Sequence, residues 1–424
     1  MESSQTEIVD EVFVNSLQYK KQRLAFINIV KHKFKNELWQ KYFTPSSIVN
    51  QIIDMSVSSE DIETKKFTVF FNLEFLEELI YTYNVPRKNI TFFADHSYVK
   101  IVGDLLYQVK SYYIDEDSYI DVLRIMNMKL GNVLTNPPYN NYIDLDIIDT
   151  IYDYSDQIVA IHPAPYLMKH YFDDKNDESC RLKKFCKKYE GKVKSIEFFD
   201  PNNTFGINNP TPVVIIHIDK KYDGDCKVSF TQDSFFNLPS EPYKIQSLTD
   251  ISYFGPDNYK NLVLPFYEKI KNHITINGSV ASNIVQNANT LDSNCFHCFL
   301  PNIQGNTNTA KNFKSFHRSD FFAFIPKSGF TPKKNDDGTY DAEQKNNLQF
   351  NTQIERDNFV DYLKTDFARF CLALHKFNKN LGPYLFMVPW MDFTQSWNDE
   401  KLFEHFNISD EMKELILDFI PDFH

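Results

Sequence analysis

The sequence predicts an α/β protein with a doubly wound, Rossmann-like sheet in its N-terminal half and a mixed α+β region after it. Short apolar runs typical of buried strands alternate with helical periodicity as far as residue 225. Two of these runs, around Val133 and Ile158, end in proline-rich loops, and ligands bind at the carboxyl ends of strands in such sheets. From Cys226 the alternation fades. We therefore expect one domain at 1–225 and another at 226–424.

The composition limits the classes of function that fit the chain. The formal net charge is −12 and 24% of the 424 residues are charged, so the chain as a whole has no basic nucleic-acid-binding character. Any contact with nucleic acid would depend on a local basic patch. Aromatic residues are abundant, with 39 Phe and 24 Tyr, whereas Gly occurs only 11 times, which predicts packed ring surfaces and few glycine-rich loops.

Six cysteines and a polar start without a signal peptide predict a reduced, cytoplasmic protein with free thiols. Cys295 and Cys298 have a zinc-type spacing, but no second pair follows, so no metal site is expected. Because no apolar run approaches the roughly 20 residues of a membrane helix, no membrane contact is expected either.

Two N-terminal segments have the spacing of amphipathic helices. The first carries apolar residues from Phe26 to Leu38 at helical intervals. The second follows Phe43-Thr44-Pro45, where Thr44 or Ser46 can cap a helix that has Ile48, Val49, Ile52 and Ile53 on one face.

The most informative stretch is the loop Asn136-Pro137-Pro138-Tyr139, which follows the apolar residues Val133 and Leu134. Each proline holds φ near −65°, and Pro137 also keeps Asn136 out of the helical region. The Asn136 side chain and the neighbouring carbonyls are therefore held in one geometry. Such a loop can present two hydrogen-bond acceptors to a planar amino group.

The NPPY loop and the earlier segment YFTPSSIV, residues 42–49, resemble the motifs of gamma-order adenine-N6 DNA methyltransferases from restriction-modification systems. The resemblance implies S-adenosylmethionine as cofactor, with its methionine end beside Phe43, Thr44 and Pro45. It implies a catalytic role for Asn136, Pro137, Pro138 and Tyr139. The same loop serves enzymes that methylate cytosine N4, RNA adenines or protein glutamine, and the YFTP segment together with the large C-terminal region favours DNA adenine.

The resemblance also implies a glycine-rich turn after a strand and an acidic residue at the end of the next strand, where it binds the cofactor ribose. The candidate strand is the run from Asn89 to Asp95. Where the glycine-rich turn is expected, the chain has Ala94-Asp95-His96-Ser97 without any G-x-G, and the next strand ends at Asp115 to Asp117. Two interpretations remain open: an unusual cofactor pocket using Ala94 and Asp95, with Asp115 or Asp117 on the ribose, or a chain that has lost cofactor binding.

Further residues are candidates for contacts with DNA. By the resemblance, Phe205 and Tyr139 stack on a flipped base, although Phe205 can equally anchor its loop. Lysines and an arginine at 181–188 form either a solvated face or a phosphate-contacting patch. Basic residues interleaved with aromatic residues predict DNA contacts at Lys311, Lys314, Arg318, Lys333 and Lys334. Residues 355–377 predict one long helix.

Together these features predict methyl transfer from S-adenosylmethionine to adenine N6 of a flipped base in double-stranded DNA, with a cognate restriction endonuclease as a partner. One alternative is a methyltransferase-like protein without catalysis that binds DNA or another protein, which the missing glycine turn and the negative charge favour. Another is the methylase part of a restriction enzyme, although no nuclease constellation is evident.

Overall fold

The computed structural model of the chain describes residues 17–34, 43–57, 62–115, 128–139, 143–164, 181–199, 204–205, 213–231, 241–273, 350–374 and 388–420. It also describes the backbone of short strands at 284–285, 296–299, 304–306, 311–315, 333–334, 340–343 and 347–349.

A nine-stranded, mostly parallel sheet forms the centre of the fold. Its strands are β1 (Phe67–Phe70), β2 (Ile90–Ala94), β3 (Lys110–Tyr113), β4 (Gly131–Thr135), β5 (Ser155–Pro163), β6 (Val193–Phe199), β7 (Val213–Asp219), β8 (Cys226–Phe230) and β9 (Tyr243–Ile245). They lie in the order β3-β2-β1-β4-β5-β7-β6-β8-β9. Strands β1 to β5 are parallel, β7 runs antiparallel between β5 and β6, and β9 runs antiparallel to β8.

Helices cover both faces of this sheet. They are α1 (Lys20–Lys33), α2 (Ser46–Ser56), α3 (Leu73–Tyr81), α4 (Ser97–Leu105), α5 (Ile143–Tyr152), α6 (Arg181–Lys188), α7 (Leu264–Ile270), α8 (Gln353–Leu363), α9 (Asp366–Ala373), α10 (Asp399–His405) and α11 (Asp410–Phe419). Apolar side chains of α1 to α4 share one buried cluster with Val69 of β1. Those of α5 to α11 share the other cluster with Phe70, which points to the opposite face because side chains alternate along a strand.

This architecture confirms the predicted α/β class and the doubly wound, Rossmann-like sheet. The predicted domain boundary at 225 and 226 lies between β7 and β8, which both belong to the large sheet. The division into two domains, and a DNA-recognition role for the second, stay predictions.

Beyond β9 the described strands form two smaller sheets, with the orders β10-β16-β11-β13 and β12-β15-β14. These strands are β10 (Ile284–Val285), β11 (Phe296–Phe299), β12 (Gln304–Asn306), β13 (Lys311–Ser315), β14 (Lys333–Lys334), β15 (Tyr340–Glu343) and β16 (Asn347–Phe350).

The helix predicted over 355–377 is two helices, α8 and α9. The helical conformation is interrupted at Thr365. The side-chain hydroxyl of Thr365 accepts a hydrogen bond from the Ala368 backbone N–H and so caps a new helix. Helix α8 begins with a second threonine cap, Thr352, paired reciprocally with Glu355. Residues 375–377 lie outside the described ranges. The apolar spacing continues across the break, which is why the sequence alone suggested one helix.

Within the described ranges, no group of three or more metal-ligating side chains occurs, and none of the helices found there is long and apolar enough to cross a bilayer. Cys186, Cys226 and Cys371 are buried cysteines outside any disulfide. Burial raises the pKa of the Cys226 thiol to about 12, so this thiol is protonated at neutral pH.

Gly131, the first residue of β4, is a position where the fold requires glycine. Its φ is +69°, and a Cβ there would lie 2.5 Å from the Lys66 carbonyl oxygen. Gly255 has a similar φ of +73°, but a Cβ there would have no atom within 4 Å, so this position isolates the backbone cost. We expect Gly131→Ala to lower the free energy of unfolding by at least about 1 kcal/mol more than Gly255→Ala, as measured by urea unfolding. Equal losses would contradict the steric explanation.

The buried His217 of β7 makes stability depend on pH. Its Nε2 lies 2.9 Å from the Gln157 Oε1, and burial, reinforced by Lys194, lowers its pKa from 6.5 to about 4, against the opposing effect of Asp219. Between those two pH values the unfolded chain binds more protons than the folded chain, so the fold loses stability as the pH falls. We expect a loss of roughly 3 kcal/mol between pH 7 and pH 4 from this residue. His217→Gln should show a correspondingly flatter pH dependence in urea unfolding, and an unchanged dependence would contradict this assignment.

Candidate active site

The candidate site lies where the strand order of the sheet reverses. From β1 the chain continues outward to β2 and β3, whereas β4 and β5 lie on the other side of β1. In open α/β sheets, ligands bind outside the carboxyl ends of the strands at such a switch point. Phe70 of β1 pairs with Thr135 of β4, so the residues that follow them, Phe71-Asn72 and Asn136, emerge side by side.

Asn136 is held at this point through its backbone and both ends of its side chain. Its backbone N–H donates to the Asn72 Oδ1 over 3.2 Å, and its Nδ2 donates to the Thr44 Oγ1 over 3.1 Å. The Tyr139 hydroxyl donates to the Asn136 Oδ1. Asn136 and the two prolines are buried, and Tyr139 is half-buried. The stiff loop expected from the sequence therefore presents an oriented amide.

The segment Phe43-Thr44-Pro45 meets the NPPY loop although 92 residues separate Thr44 from Asn136. Pro45 precedes α2, and the buried Thr44 lies between that helix and the loop. The Thr44 backbone N–H donates to the Glu74 Oε1 over 2.9 Å. The structure thus brings together two motifs that the sequence identified separately, and it adds Glu74, which no sequence pattern marked.

Three buried polar atoms around this point have no hydrogen-bond partner within the described protein. They are the Asn72 Nδ2 after β1, the Glu74 Oε2 in the first turn of α3, and the Thr135 Oγ1 at the end of β4. Buried polar groups are nearly always paired, and an unpaired one costs free energy. This concentration of one donor, one acceptor and one hydroxyl is what a polar ligand at the switch point would satisfy.

The predicted cofactor strand Asn89–Asp95 is the second strand of the sheet, not the first. The only sequence signal for β1 is the short run Phe67–Phe71, which is too short to identify a strand, so the sequence predicts the glycine-rich turn one strand later, at Ala94–Ser97. The turn after β1 also contains no glycine. Phe71 adopts φ +70°, the left-handed region that glycine favours, and its side chain is buried in the core.

This strand order changes the positions of the predicted acidic residues. Ala94 ends β2, and Asp95 follows it as a buried side chain beside the switch point. The half-buried Asp115 follows β3, which is the edge strand and lies one strand further away. Asp117 lies outside the described ranges. Asp95, rather than Asp115, therefore occupies the end of the strand adjacent to β1.

Aromatic rings pack around the end of β2. The Phe34 ring centroid lies 4.5 Å from that of His96 and 4.9 Å from that of Tyr98. The His96 Nδ1 accepts from the Tyr98 backbone N–H and caps α4. Burial raises the pKa of the Tyr98 hydroxyl, so it stays neutral.

The remaining predicted site residues are more dispersed. Phe205 is half-buried, and its ring lies 5.9 Å from that of Phe199 at the end of β6, so it borders the α1 to α4 face as Tyr139 does. Lys311 and Lys314 lie in β13, and Lys333 and Lys334 lie in β14 of a different small sheet. Arg318 lies outside the described ranges. These residues are not shown to share one surface.

Carboxylates of α5 pair with residues of α6 and of β5. In α6, Arg181 pairs with Asp146, and the Lys188 Nζ lies 2.9 Å from the Asp149 Oδ1, so both side chains contact α5, while Lys184 and Lys187 are exposed. A buried His162–Asp144 pair, 3.3 Å apart, was not anticipated. A lone histidine within an apolar strand offered little sequence signal for it.

No protein-family model matches the chain, and no curated protein matches it. Among solved structures, it is similar to BpuSI, a type IIG restriction endonuclease, at 13% identity over 64% of this chain and 38% of that chain, with a TM-score of 0.37.

Two other solved structures are described as methyltransferases. A Listeria monocytogenes protein assigned to the class I S-adenosylmethionine-dependent methyltransferases shows 12% identity over 51% of this chain and 74% of that chain, with a TM-score of 0.36. A dimethyladenosine transferase from Plasmodium falciparum shows 12% identity over 42% and 62%, with a TM-score of 0.29. At these TM-scores, the fold assignment comes from the strand order of the chain itself.

Proposed function

We propose that this protein transfers a methyl group from S-adenosylmethionine to adenine N6 of a base flipped out of double-stranded DNA. The observation that carries the proposal is the buried Asn136 amide, fixed at the switch point of the sheet by Thr44 and Asn72. An oriented acceptor of this kind suits a reaction in which placement, rather than acid–base chemistry, supplies the rate.

The loop would act on the exocyclic amine of the base. The lone pair of that nitrogen is shared with the ring, so the amine is a poor nucleophile. If the Asn136 Oδ1 and the Pro137 carbonyl each accept one N6 hydrogen, the nitrogen is drawn toward tetrahedral geometry and its lone pair becomes available. The Tyr139 hydroxyl now bonds to the same Oδ1. Tyr139 would therefore turn aside as the base enters, and its ring would stack on the base, as we also propose for Phe205.

The residues at the switch point fit S-adenosylmethionine. That cofactor supplies an electrophilic methyl group on sulfur and carries an α-amino acid end and a ribose. The Asn72 Nδ2 could donate to its carboxylate, the Glu74 Oε2 could accept from its amino group, and the buried Asp95 could accept from ribose hydroxyls. Phe43, Thr44 and Pro45 border the same place. Because Phe71 adopts the left-handed backbone itself, the lack of glycine does not prevent a tight turn after β1.

Recognition of the duplex would fall to the region after residue 225. The proposed contacts are Lys311, Lys314, Arg318, Lys333 and Lys334, whose positive charge is needed because the chain carries a net charge of −12. A cognate restriction endonuclease and a cytoplasmic setting belong to the same proposal.

The test has two stages. Calorimetry with S-adenosylmethionine should show binding, and an Asp95→Asn variant should bind more weakly than wild type. Incubation of the protein with cofactor and duplex DNA, followed by digestion and nucleoside analysis, should then yield N6-methyldeoxyadenosine. N4-methyldeoxycytidine would instead reassign the target base. A protein that binds DNA but no cofactor would instead be a methyltransferase-like binding protein without catalysis.

A further inference from the structure

We propose that Lys31, Glu74 and Thr44 are positioning residues that orient the Asn136 amide, an inference that rests on the proposed function. The contacts form one continuous chain. The Lys31 Nζ lies 2.6 Å from the Glu74 Oε1, which also accepts from the Thr44 backbone N–H over 2.9 Å. The Thr44 hydroxyl then accepts from the Asn136 Nδ2 over 3.1 Å. Helix α1 is thereby connected to the catalytic loop.

The orientation of the amide decides whether the loop can act. With its Nδ2 on the Thr44 hydroxyl, Asn136 directs its Oδ1 toward Tyr139, where the amino group of the base would arrive. A flipped amide would direct an NH2 group at the NH2 group of the base, so that two donors would face each other. In the orientation of the structure both ends of the amide are paired, because the Thr44 hydroxyl accepts from the Nδ2 and the Tyr139 hydroxyl donates to the Oδ1. We propose that the bond to Thr44 holds the Nδ2 end in place when the base takes over the Oδ1.

Glu74 and Lys31 in turn hold Thr44. Their side chains are 1% and 5% exposed, and a charge at that depth requires a partner of opposite sign. Lys31 supplies that partner from the last turn of α1, which leaves one Glu74 oxygen aligned on the Thr44 N–H. We therefore expect that a substitution at Lys31 or Glu74 shifts the backbone of Thr44 and so weakens the hydrogen bond between the Thr44 hydroxyl and the Asn136 Nδ2.

Another ion pair between the same helices provides a matched control. Arg23 of α1 and Glu77 of α3 lie 2.8 Å apart and are 6% and 0% exposed, which is similar to the Lys31–Glu74 pair. Glu77 bonds to Tyr107 instead of Thr44. Replacing either pair by apolar side chains of similar volume avoids leaving a buried charge unpaired. The two double variants therefore differ in whether they remove the support of Thr44.

The kinetic test compares these variants at saturating cofactor and DNA. We expect Thr44→Val to lower kcat by about 10- to 100-fold. Thr44→Ser keeps the hydroxyl and should retain most of the wild-type kcat. Lys31→Met/Glu74→Leu should also lower kcat, whereas Arg23→Met/Glu77→Leu should leave it near the wild-type value. Any weakening of cofactor binding through the Glu74 Oε2 would be recorded separately as a raised KM. Wild-type kcat in Thr44→Val, or equal losses in both double variants, would overturn the proposal.

A second measurement does not depend on catalysis. In protein labelled with 15N-asparagine, the side-chain NH2 signals of Asn136 can be assigned by their loss in Asn136→Ala. We expect slow solvent exchange of these protons in wild type and in Arg23→Met/Glu77→Leu, and faster exchange in Thr44→Val and Lys31→Met/Glu74→Leu. Unchanged exchange would overturn the positioning chain. A wild-type protein that shows this pattern but transfers no methyl group would instead overturn the proposed function alone.

Discussion

Asn136→Ala is expected to lower kcat for methyl transfer by at least about 100-fold, the scale of loss when one preorganised hydrogen-bonding group is removed from an active site. The alanine removes the oxygen that would accept an N6 hydrogen. Its cost to the fold should be about 1 to 3 kcal/mol, because the side-chain bonds to Thr44 and Tyr139 are lost. Methylated nucleoside per unit time measures the effect.

Two comparisons make this result specific to the side-chain oxygen. Asn136→Asp keeps an acceptor oxygen, and the Thr44 hydroxyl can donate to the new carboxylate, so this variant should retain more activity than Asn136→Ala. Calorimetry should show that both variants still bind S-adenosylmethionine, because the proposed cofactor contacts lie on Asn72, Glu74 and Asp95. Substantial activity in Asn136→Ala would exclude the proposed role of the loop.

The NPPY loop was predictable because its constraint is local. Pro137 and Pro138 restrict the backbone whatever surrounds them, and the apolar run before Asn136 identified a buried strand end. The same kind of local signal predicted β2, β3, β4 and β5. The contact between Thr44 and Asn136 was not predicted, since no local rule joins residues 92 positions apart.

Strand β1 has no such local signal. Phe67–Phe70 is only four residues long and buried on both faces, so it lacks the alternation that marks a half-exposed strand. The glycine that usually marks the following turn is replaced by Phe71. Without β1, the run Asn89–Asp95 is interpreted as the first strand of the sheet, although it is the second. For the same reason the sequence does not mark Asn72 and Glu74, which follow β1, as site residues.

The buried charges of helix α3 could not be predicted from the sequence either. Glu74, Glu77 and Glu78 in its sequence suggest a solvated helix face, yet all three are buried beneath α1. Their partners Lys31, Arg23 and Lys20 come from a separate helix. Charge pairing between distant segments is a tertiary property, so neither helix alone predicts it.

Arg23→Met is expected to lower the free energy of unfolding by about 3 to 5 kcal/mol, since it leaves the carboxylate of Glu77 buried without its cation. The Arg23 Nε and Nη2 donate to the two Glu77 oxygens, each over 2.8 Å, and the guanidinium lies 3.7 Å from the centre of the Tyr81 ring. The hydrogen bond to Glu77 is the main reason that the pKa of Arg23 is raised. The midpoint of urea unfolding, followed by circular dichroism, measures the loss.

The size of this effect follows from burial rather than from the ion pair itself. Lys100→Met removes a partner from the Lys100–Asp104 pair, whose side chains are 38% and 34% exposed, and should cost less than about 1 kcal/mol because water can solvate the remaining carboxylate. Arg23→Met/Glu77→Leu should recover most of the stability lost in Arg23→Met, because no buried charge then remains. If the double variant were as unstable as the single one, packing of the Arg23 side chain against Tyr81, rather than the unpaired Glu77, would be the cause.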